Sequence, residues 1–205
     1  MLRITMIRHG KTEGSSKGKF IGITDEPILD SEKKALSEIK FPSVDEVYSS
    51  PMKRCIETAQ ILYPDNEINV IDEFSECDFG DFEGKTYQEL LRDPVYKGWV
   101  KSGEISSYPN GERRSEFQER CIHGFEKAIR DAVSRRRRNI AMIVHDGTIM
   151  SILGAYGFPA QDYRRWTAEY GEGYRLRIVP ELFMSNNNIE QREIIVDGKI
   201  IRDGN

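Results

Sequence analysis

Only three residues of this chain are histidine, and two of them stand in matching surroundings: Arg8-His9-Gly10 and His145-Asp146-Gly147. Each follows a short apolar run, Ile4-Thr5-Met6-Ile7 in the first case and Ile140-Ala141-Met142-Ile143-Val144 in the second. Apolar runs of four to eight residues read as buried strands. A polar turn directly after such a strand lies at its carboxyl end, where open α/β sheets hold ligands. The pattern therefore brings two imidazoles to one edge of one sheet, beside the fixed positive charge of Arg8. A neutral imidazole held through one ring nitrogen can attack phosphorus with the other. An adjacent arginine offers planar, multidentate donors to phosphate oxygens. The blander alternative is a core histidine next to a surface arginine.

Two further segments add to the inventory. Ser49-Ser50-Pro51 reads as a helix start, with a serine cap and proline at the first helical position. Arg54 then falls one turn in, where free N–H groups and the helix dipole favour an anion. It becomes the second arm of a phosphate clamp, unless it is merely solvated or paired with Glu57. Between Phe74 and Gly84 stand the acids Glu76, Asp78, Asp81 and Glu83 among aromatic residues. Any of them could be a general acid if its carboxyl pKa is raised, and the residues alone do not choose among them. Two histidines, two arginines and a carboxyl group suit phosphoryl transfer through a phosphohistidine: a nucleophile, a charge clamp and an acid for the leaving group.

The elements that must position these groups alternate. Strands are expected at 2–7, 44–48, 68–71, 139–144 and 174–179. Helices are expected at 31–39, from Ser50 to about 62, at 86–91, 117–133 and 148–156. Residues 9–25, rich in glycine and serine, read as a long polar loop, and Asp197-Gly198 as a hairpin turn. Alternating strands and helices predict an α/β fold of three layers, α/β/α, around a mostly parallel central sheet. The stretch from about 75 to 116 breaks the rhythm and reads as a small inserted cap. No linker or repeat divides the 205 residues, so one domain, 1–205, is expected.

With 30 basic and 34 acidic residues the net charge is −4, which argues against a polyanion-binding surface. Three cysteines and no secretory leader point to reduced thiols and a cytoplasmic location, and no apolar run reaches membrane-spanning length. The run Arg135-Arg136-Arg137-Arg138 reads as a helix end complementing its dipole rather than a nucleic-acid patch, since no aromatics interleave it. Lys17 and Lys19 could attract an anion or simply be solvated. Trp99 and Tyr108 fit either cap packing or stacking on a substrate ring. Cys77 reads as a buried filler, His123 has no assigned role, and 170–174 reads as a turn entering a strand. The tail 180–205, with Asn186-Asn187-Asn188, could pair across a homodimer or finish the sheet.

Four blocks in order then carry a resemblance over residues 1 to about 155. Arg8-His9-Gly10-Lys11-Thr12, Ser49-Ser50-Pro51 with Arg54 and Thr58-Ala59, Phe79-Gly80-Asp81-Phe82-Glu83-Gly84, and the late His145 resemble the histidine phosphatase superfamily. Within it the chain is most similar to the small phosphatase branch that includes α-ribazole phosphatase and broad-specificity phosphatases. The resemblance implies that His9 is the nucleophile, that Arg8, Arg54 and His145 hold the phosphoryl oxygens, and that Glu76, four residues before Gly80, is the proton donor. It implies no metal and no other cofactor. Asn110-Gly111-Glu112 is similar to the family's Gly-Gly-Glu-Ser turn, and Arg120 falls where a structural arginine is common.

Thr12, Ser15, Ile21, Gly22 and Asp146 fall where phosphate or the leaving group is touched. Three of these depart from the family pattern: Ser15 replaces an asparagine, Ile21 a polar residue, and Asp146 a glycine or small residue. Substrate preference, more than chemistry, hangs on them, and the Asp146 carboxylate could repel highly charged substrates. The implied activity is hydrolysis of a small phosphorylated metabolite, with α-ribazole 5′-phosphate as the branch-level expectation. The alternatives are phosphoglycerate mutase-type transfer and an inactive binding module of the same fold. The cap, compact and mixed in charge, favours a phosphatase over a mutase. The full set of five site residues argues against an inactive module.

Overall fold

The computed structural model describes residues 1–103, 107–185 and 192–202. Its strands are β1 (Leu2–Arg8), β2 (Glu46–Ser49), β3 (Ile68–Val70), β4 (Asn139–Val144), β5 (Gly157–Phe158), β6 (Gly173–Ile178) and β7 (Ile194–Ile200). They form one sheet in the order β3-β2-β4-β1-β6-β7-β5. β1, β4, β2 and β3 pair parallel in turn, β6 is antiparallel to both β1 and β7, and β5 pairs parallel with β7. Among the described strands, β6 alone is reversed, so the sheet is mixed and mostly parallel. The helices are α1 (Glu13–Ser16), α2 (Asp30–Ser37), α3 (Lys53–Leu62), α4 (Tyr87–Leu90), α5 (Pro94–Ser102), α6 (Arg114–Ser134), α7 (Asp146–Tyr156) and α8 (Pro180–Ser185).

Both faces of the sheet are covered, as a parallel sheet requires. Side chains alternate along each strand, so each strand feeds two cores. Leu2, Ile4 and Met6 of β1, with Ile140, Met142 and Val144 of β4, pack against Phe125 and Ile129 of α6 and Ile149 and Ile152 of α7. On the other face, Ile7, Ala141 and Ile143 meet Leu36 of α2 and Cys55, Ala59 and Leu62 of α3. The helical spacing of Phe117, Cys121, Phe125, Ala128, Ile129 and Ala132 is what turns one stripe of α6 inward, and all six are buried. The β1–β4 register sets Met6 beside Met142 and Arg8 beside Val144. The two strands therefore end level, and His9 and His145 leave the sheet at the same edge.

Four local expectations need correction or narrowing. The polar loop 9–25 contains α1, whose first turn is closed by a capping box: Thr12 Oγ1 accepts from the Ser15 amide at 3.2 Å, and Ser15 Oγ accepts from the Thr12 amide at 2.9 Å. Ser50 does not cap α3, which starts after Met52 without a side-chain cap. The Ser50 hydroxyl is 2.8 Å from His145 Nε2 instead, although Arg54 stays in the first turn as expected. Asp197-Gly198 is no hairpin: Arg175 pairs with Gly198 and Leu176 with Val196, leaving Asp197 as the extra residue of a β-bulge. The tail thus completes the sheet through β7, while Asn186-Asn187-Asn188 lie outside the described residues.

The segment between β3 and α6 carries α4 and α5 and an aromatic cluster. Phe82 meets Trp99 edge-on at 5.2 Å, and Trp99 stacks on Tyr108 at 5.8 Å with the planes 19° apart. Trp99 is therefore cap packing. In the arginine run, Arg135 and Arg137 hold the buried Glu46 carboxylate at 3.1 and 2.8 Å, a structural use. No helix among the described residues is long and apolar enough to cross a membrane.

Phe125 is wholly buried between sheet and helix layer. Phe125→Ala should lower unfolding free energy by about 3–5 kcal/mol, the range for emptying an aromatic core site, as read from a urea denaturation curve.

Candidate active site

β1 delivers Arg8 and His9 to the carboxyl edge of the sheet, and His9 is pinned there by its amide bonding Val144 O at 2.9 Å. His9 Nδ1 lies 2.8 Å from the Gly10 carbonyl oxygen. A carbonyl only accepts, so Nδ1 carries the proton and Nε2 keeps its lone pair. The Gly10 amide in turn donates to Thr58 Oγ1 at 2.9 Å, and that hydroxyl donates to Arg54 O at 2.6 Å. Thr58 thereby ties the nucleophile's turn to α3. It stood in the sequence motif, but nothing in the sequence told what it held.

β4 delivers His145, which caps α7 and is fully buried. Its ring centroid is 5.0 Å from that of His9, with the planes 66° apart. Its Nε2 meets Ser50 Oγ, and its Nδ1 is 3.7 Å from Glu76 Oε2. Burial, reinforced by Arg54 and Arg8, holds both imidazoles well below their ordinary pKa. Burial pushes the Glu76 carboxyl the other way, upward, against the opposing pull of the Cys77 amide and the two arginines. Two bases kept neutral and one carboxyl shifted toward its protonated form suit nucleophilic attack and proton donation.

The two arginines are built alike. Arg54 is fully buried; its Nη1 donates to Thr24 O and its Nη2 to Gly22 O, both at 2.8 Å. Arg8 donates through Nη1 to Ala168 O at 2.7 Å and lies 3.8 Å over the Tyr170 ring. In both residues Nε is buried and has no partner among the described residues. Such donors are ready for phosphate oxygens.

The acid sits on a clamped backbone. Arg120 grips Glu112 with Nε and Nη2 at 2.6 and 2.8 Å, and its Nη1 and Nη2 reach the carbonyls of Glu73, Ser75 and Glu76. Arg120 thus fixes the strip of chain that carries Glu76. A Cβ at Gly147 would stand 3.0 Å from Glu76 Oε1 and 2.9 Å from the Phe117 ring, so only glycine lets α7 come this close.

Arg8, His9, Arg54, Glu76 and Asp146 line one cleft of about 440 Å³, and His145 lies directly behind it. Thr12, Ser15 and Ile21 also border it, but the Thr12 and Ser15 hydroxyls are committed to the α1 cap and to Glu26. Gly22 does not line the cleft; it stands behind Arg54. Asp146 holds the framework more than it faces a substrate: it accepts from Thr167 Oγ1 and from the Ala168 amide at 2.8 Å, and lies 3.7 Å from Arg8. The remaining wall is largely aromatic, with Phe20, Phe79, Tyr108, Phe117, Tyr163 and Tyr170. Tyr108 thus reaches the cleft, and Tyr170 shows that the 170–174 turn borders it. Arg202 bonds Glu32 at 2.7 Å and the Tyr170 carbonyl at 3.1 Å, so the turn beneath Arg8 is held from the far end of the chain. No group of three or more metal-ligating side chains occurs among the described residues.

The histidine shifts have a measurable sign. His9 and His145 stay neutral in the fold at pH values where the unfolded chain, with ordinary imidazole pKa near 6.5, is protonated. The unfolded state then binds more protons, so stability is lost as pH falls below about 6.5. Glu76 has the opposite sign, its contribution fading as pH rises through its raised pKa. His145→Gln should flatten the acid-side decline by up to about 1.4 kcal/mol per pH unit in urea titrations between pH 6.5 and 5.5. An unchanged slope would mean that His145 is charged in the fold.

Comparison with known proteins agrees with this geometry. The chain is 24% identical over 180 residues to adenosylcobalamin/alpha-ribazole phosphatase of Escherichia coli, covering 83% of this chain and 87% of that protein. It is 28% identical over 160 residues to phosphoglycerate mutase-like protein 4 of Arabidopsis thaliana, covering 73% and 68%. Phosphoserine phosphatase of Entamoeba histolytica, solved in complex with 3-phosphoglyceric acid, shares the fold with a TM-score of 0.73 and 22% identity over 98% of each chain. The family model for the histidine phosphatase superfamily, branch 1, matches residues 4–184, and the chain belongs to that family.

Proposed function

We propose that this protein is a metal-independent phosphomonoesterase working through a phosphohistidine, in one domain whose residues 75–116 form a cap over the cleft. The observation that carries this reading is the free Nε2 of a neutral His9 beside the half-buried Arg8 and the buried Arg54, whose Nε groups lack partners among the described residues. His9 Nε2 attacks phosphorus in line, the P–N bond forms and the P–O bond to the leaving alcohol breaks. Glu76 gives its proton to that departing oxygen. Arg8, Arg54 and His145 hold the equatorial oxygens as charge spreads over them. Water then attacks the phosphohistidine, Glu76 takes its proton, and inorganic phosphate leaves.

The substrate is a small phosphorylated metabolite. We favour a monoester with a planar, weakly charged leaving group, of which α-ribazole 5′-phosphate, the substrate in the name of the Escherichia coli relative, is an example. The six aromatic rings of the wall support this, since they offer stacking surface, with Lys19 and Arg114 the further cations on the lining. A mutase would have to retain a small, multiply charged product against such a wall.

Phosphate release in EDTA from a panel including α-ribazole phosphate, phosphoserine and 3-phosphoglycerate should be seen with wild type and lost in His9→Ala. Acid-labile phosphate on His9 should be trapped by rapid quench. Recovery of 2-phosphoglycerate without free phosphate would replace this reading with a mutase. Glu76→Gln should cut kcat by about 10²–10⁴ on alkyl monoesters and far less on p-nitrophenyl phosphate, whose leaving group needs no proton. Equal losses on both would remove Glu76 from the donor role.

A further inference from the structure

Glu83 belongs to none of the roles above, yet it is placed behind one of them. Its Oε1 accepts from the Gly22 amide at 2.8 Å and from the Thr24 amide at 3.0 Å. The carbonyls of these same two residues accept from the two Nη atoms of Arg54. A carboxylate from the cap thus draws in the amide side of residues 22 and 24, and their carbonyl side is presented to the guanidinium. Glu83 Oε2 is buried and has no partner among the described residues, so the two loop amides on Oε1 are the hydrogen bonds that hold this carboxylate. Gly22 has no space for a side chain: a Cβ would stand 2.0 Å from the Cys77 carbonyl, 2.9 Å from Phe79 and 3.0 Å from Glu83 Oε2. The loop is therefore trapped between the cap and α3.

We propose that Glu83 is a positioning residue for Arg54: through the 22–24 loop it fixes the guanidinium in the orientation that leaves Nε facing the phosphate site. This rests on the reading of the cleft as a phosphate site. The physical reason is the wholly buried state of Arg54, which has no carboxylate within ion-pair distance among the described residues. Its orientation depends on two backbone carbonyls, and these stay in place only when the loop residues that carry them are held. A doubly hydrogen-bonded carboxylate holds residues 22 and 24 by their amides, on the side of each residue opposite the carbonyl that receives Arg54. The residue needed at 83 is thus an acceptor of the right length.

The test is binding of inorganic phosphate and of vanadate to the full chain by isothermal titration calorimetry, with melting temperature and steady-state kinetics on p-nitrophenyl phosphate alongside. Wild type should bind phosphate. Glu83→Ala and Glu83→Asp should weaken phosphate about tenfold or more, with vanadate, which resembles the transition state, weakened further and kcat falling more than KM rises. Glu83→Gln, which keeps an acceptor oxygen at the same reach, should restore affinity to within about threefold of wild type. Should Glu83→Ala fail to fold, Glu83→Asp against Glu83→Gln carries the comparison. Folded Glu83→Asp binding both anions as tightly as wild type would overturn the proposal, as would folded Glu83→Gln as weak as Glu83→Asp, which would assign the effect to charge. If wild type itself binds neither anion, the phosphate-site reading falls, which is a different result from a wild type that binds and a variant that binds equally.

Discussion

A guanidinium buried without a carboxylate beside it is the constraint around which this molecule is organised. Arg54 is wholly enclosed, its two Nη atoms rest on loop carbonyls, and its Nε is unanswered. An uncompensated charge in such a place costs several kcal/mol in a protein interior. Two loop carbonyls accept from its Nη atoms while Nε has no partner among the described residues, and an anion there would answer it. Burial, with the same charge, keeps both histidines neutral. A neutral imidazole can act as a nucleophile and a protonated one cannot, so the buried guanidinium favours the form of His9 that the proposed reaction needs.

The sequence was most readable where chemistry and secondary structure coincide. His9 and His145 could be placed together because each ends an apolar strand, and the β1–β4 pairing is parallel and in step. Arg54 was placed correctly although the cap assigned to its helix was wrong; Ser50 serves His145 instead. Pro51 after serine is a strong local signal, and a tertiary hydrogen bond overrode it. Glu76 could not be separated from Asp78, Asp81 and Glu83 by composition, because burial, which raises one carboxyl and leaves the others to structural duties, is decided by distant residues such as Arg120 and Phe117. Gly22 was misassigned for a related reason. A glycine that touches ligand and one that admits a neighbouring carbonyl are the same letter.

Substrate-facing surface was the least readable part. Ser15, Ile21 and Asp146 look in sequence like three departures at the ligand. In the structure the Ser15 hydroxyl closes a helix cap and Asp146 braces the 167–168 backbone that receives Arg8. The wall of the cleft is made instead by aromatic residues scattered from Phe20 to Tyr170. Their spacing in the chain carries no period, and only the tertiary fold collects them at one edge of the sheet.

Arg202 gives the site an unusual dependence on the order in which the chain is made. It bonds Glu32 and the Tyr170 carbonyl, so the turn under Arg8 is fastened by a residue 170 positions from its partner in α2. Such a contact closes one of the longest loops the chain contains and has little local structure to guide it. On a ribosome the nucleophile's strand emerges early and must wait, because its β4 neighbour and then this last fastening come far behind. The floor beneath Arg8 is therefore complete only once Arg202 has reached the Tyr170 turn. A nascent chain can hold core, helices and His9 and still have an unfastened floor beneath its first arginine.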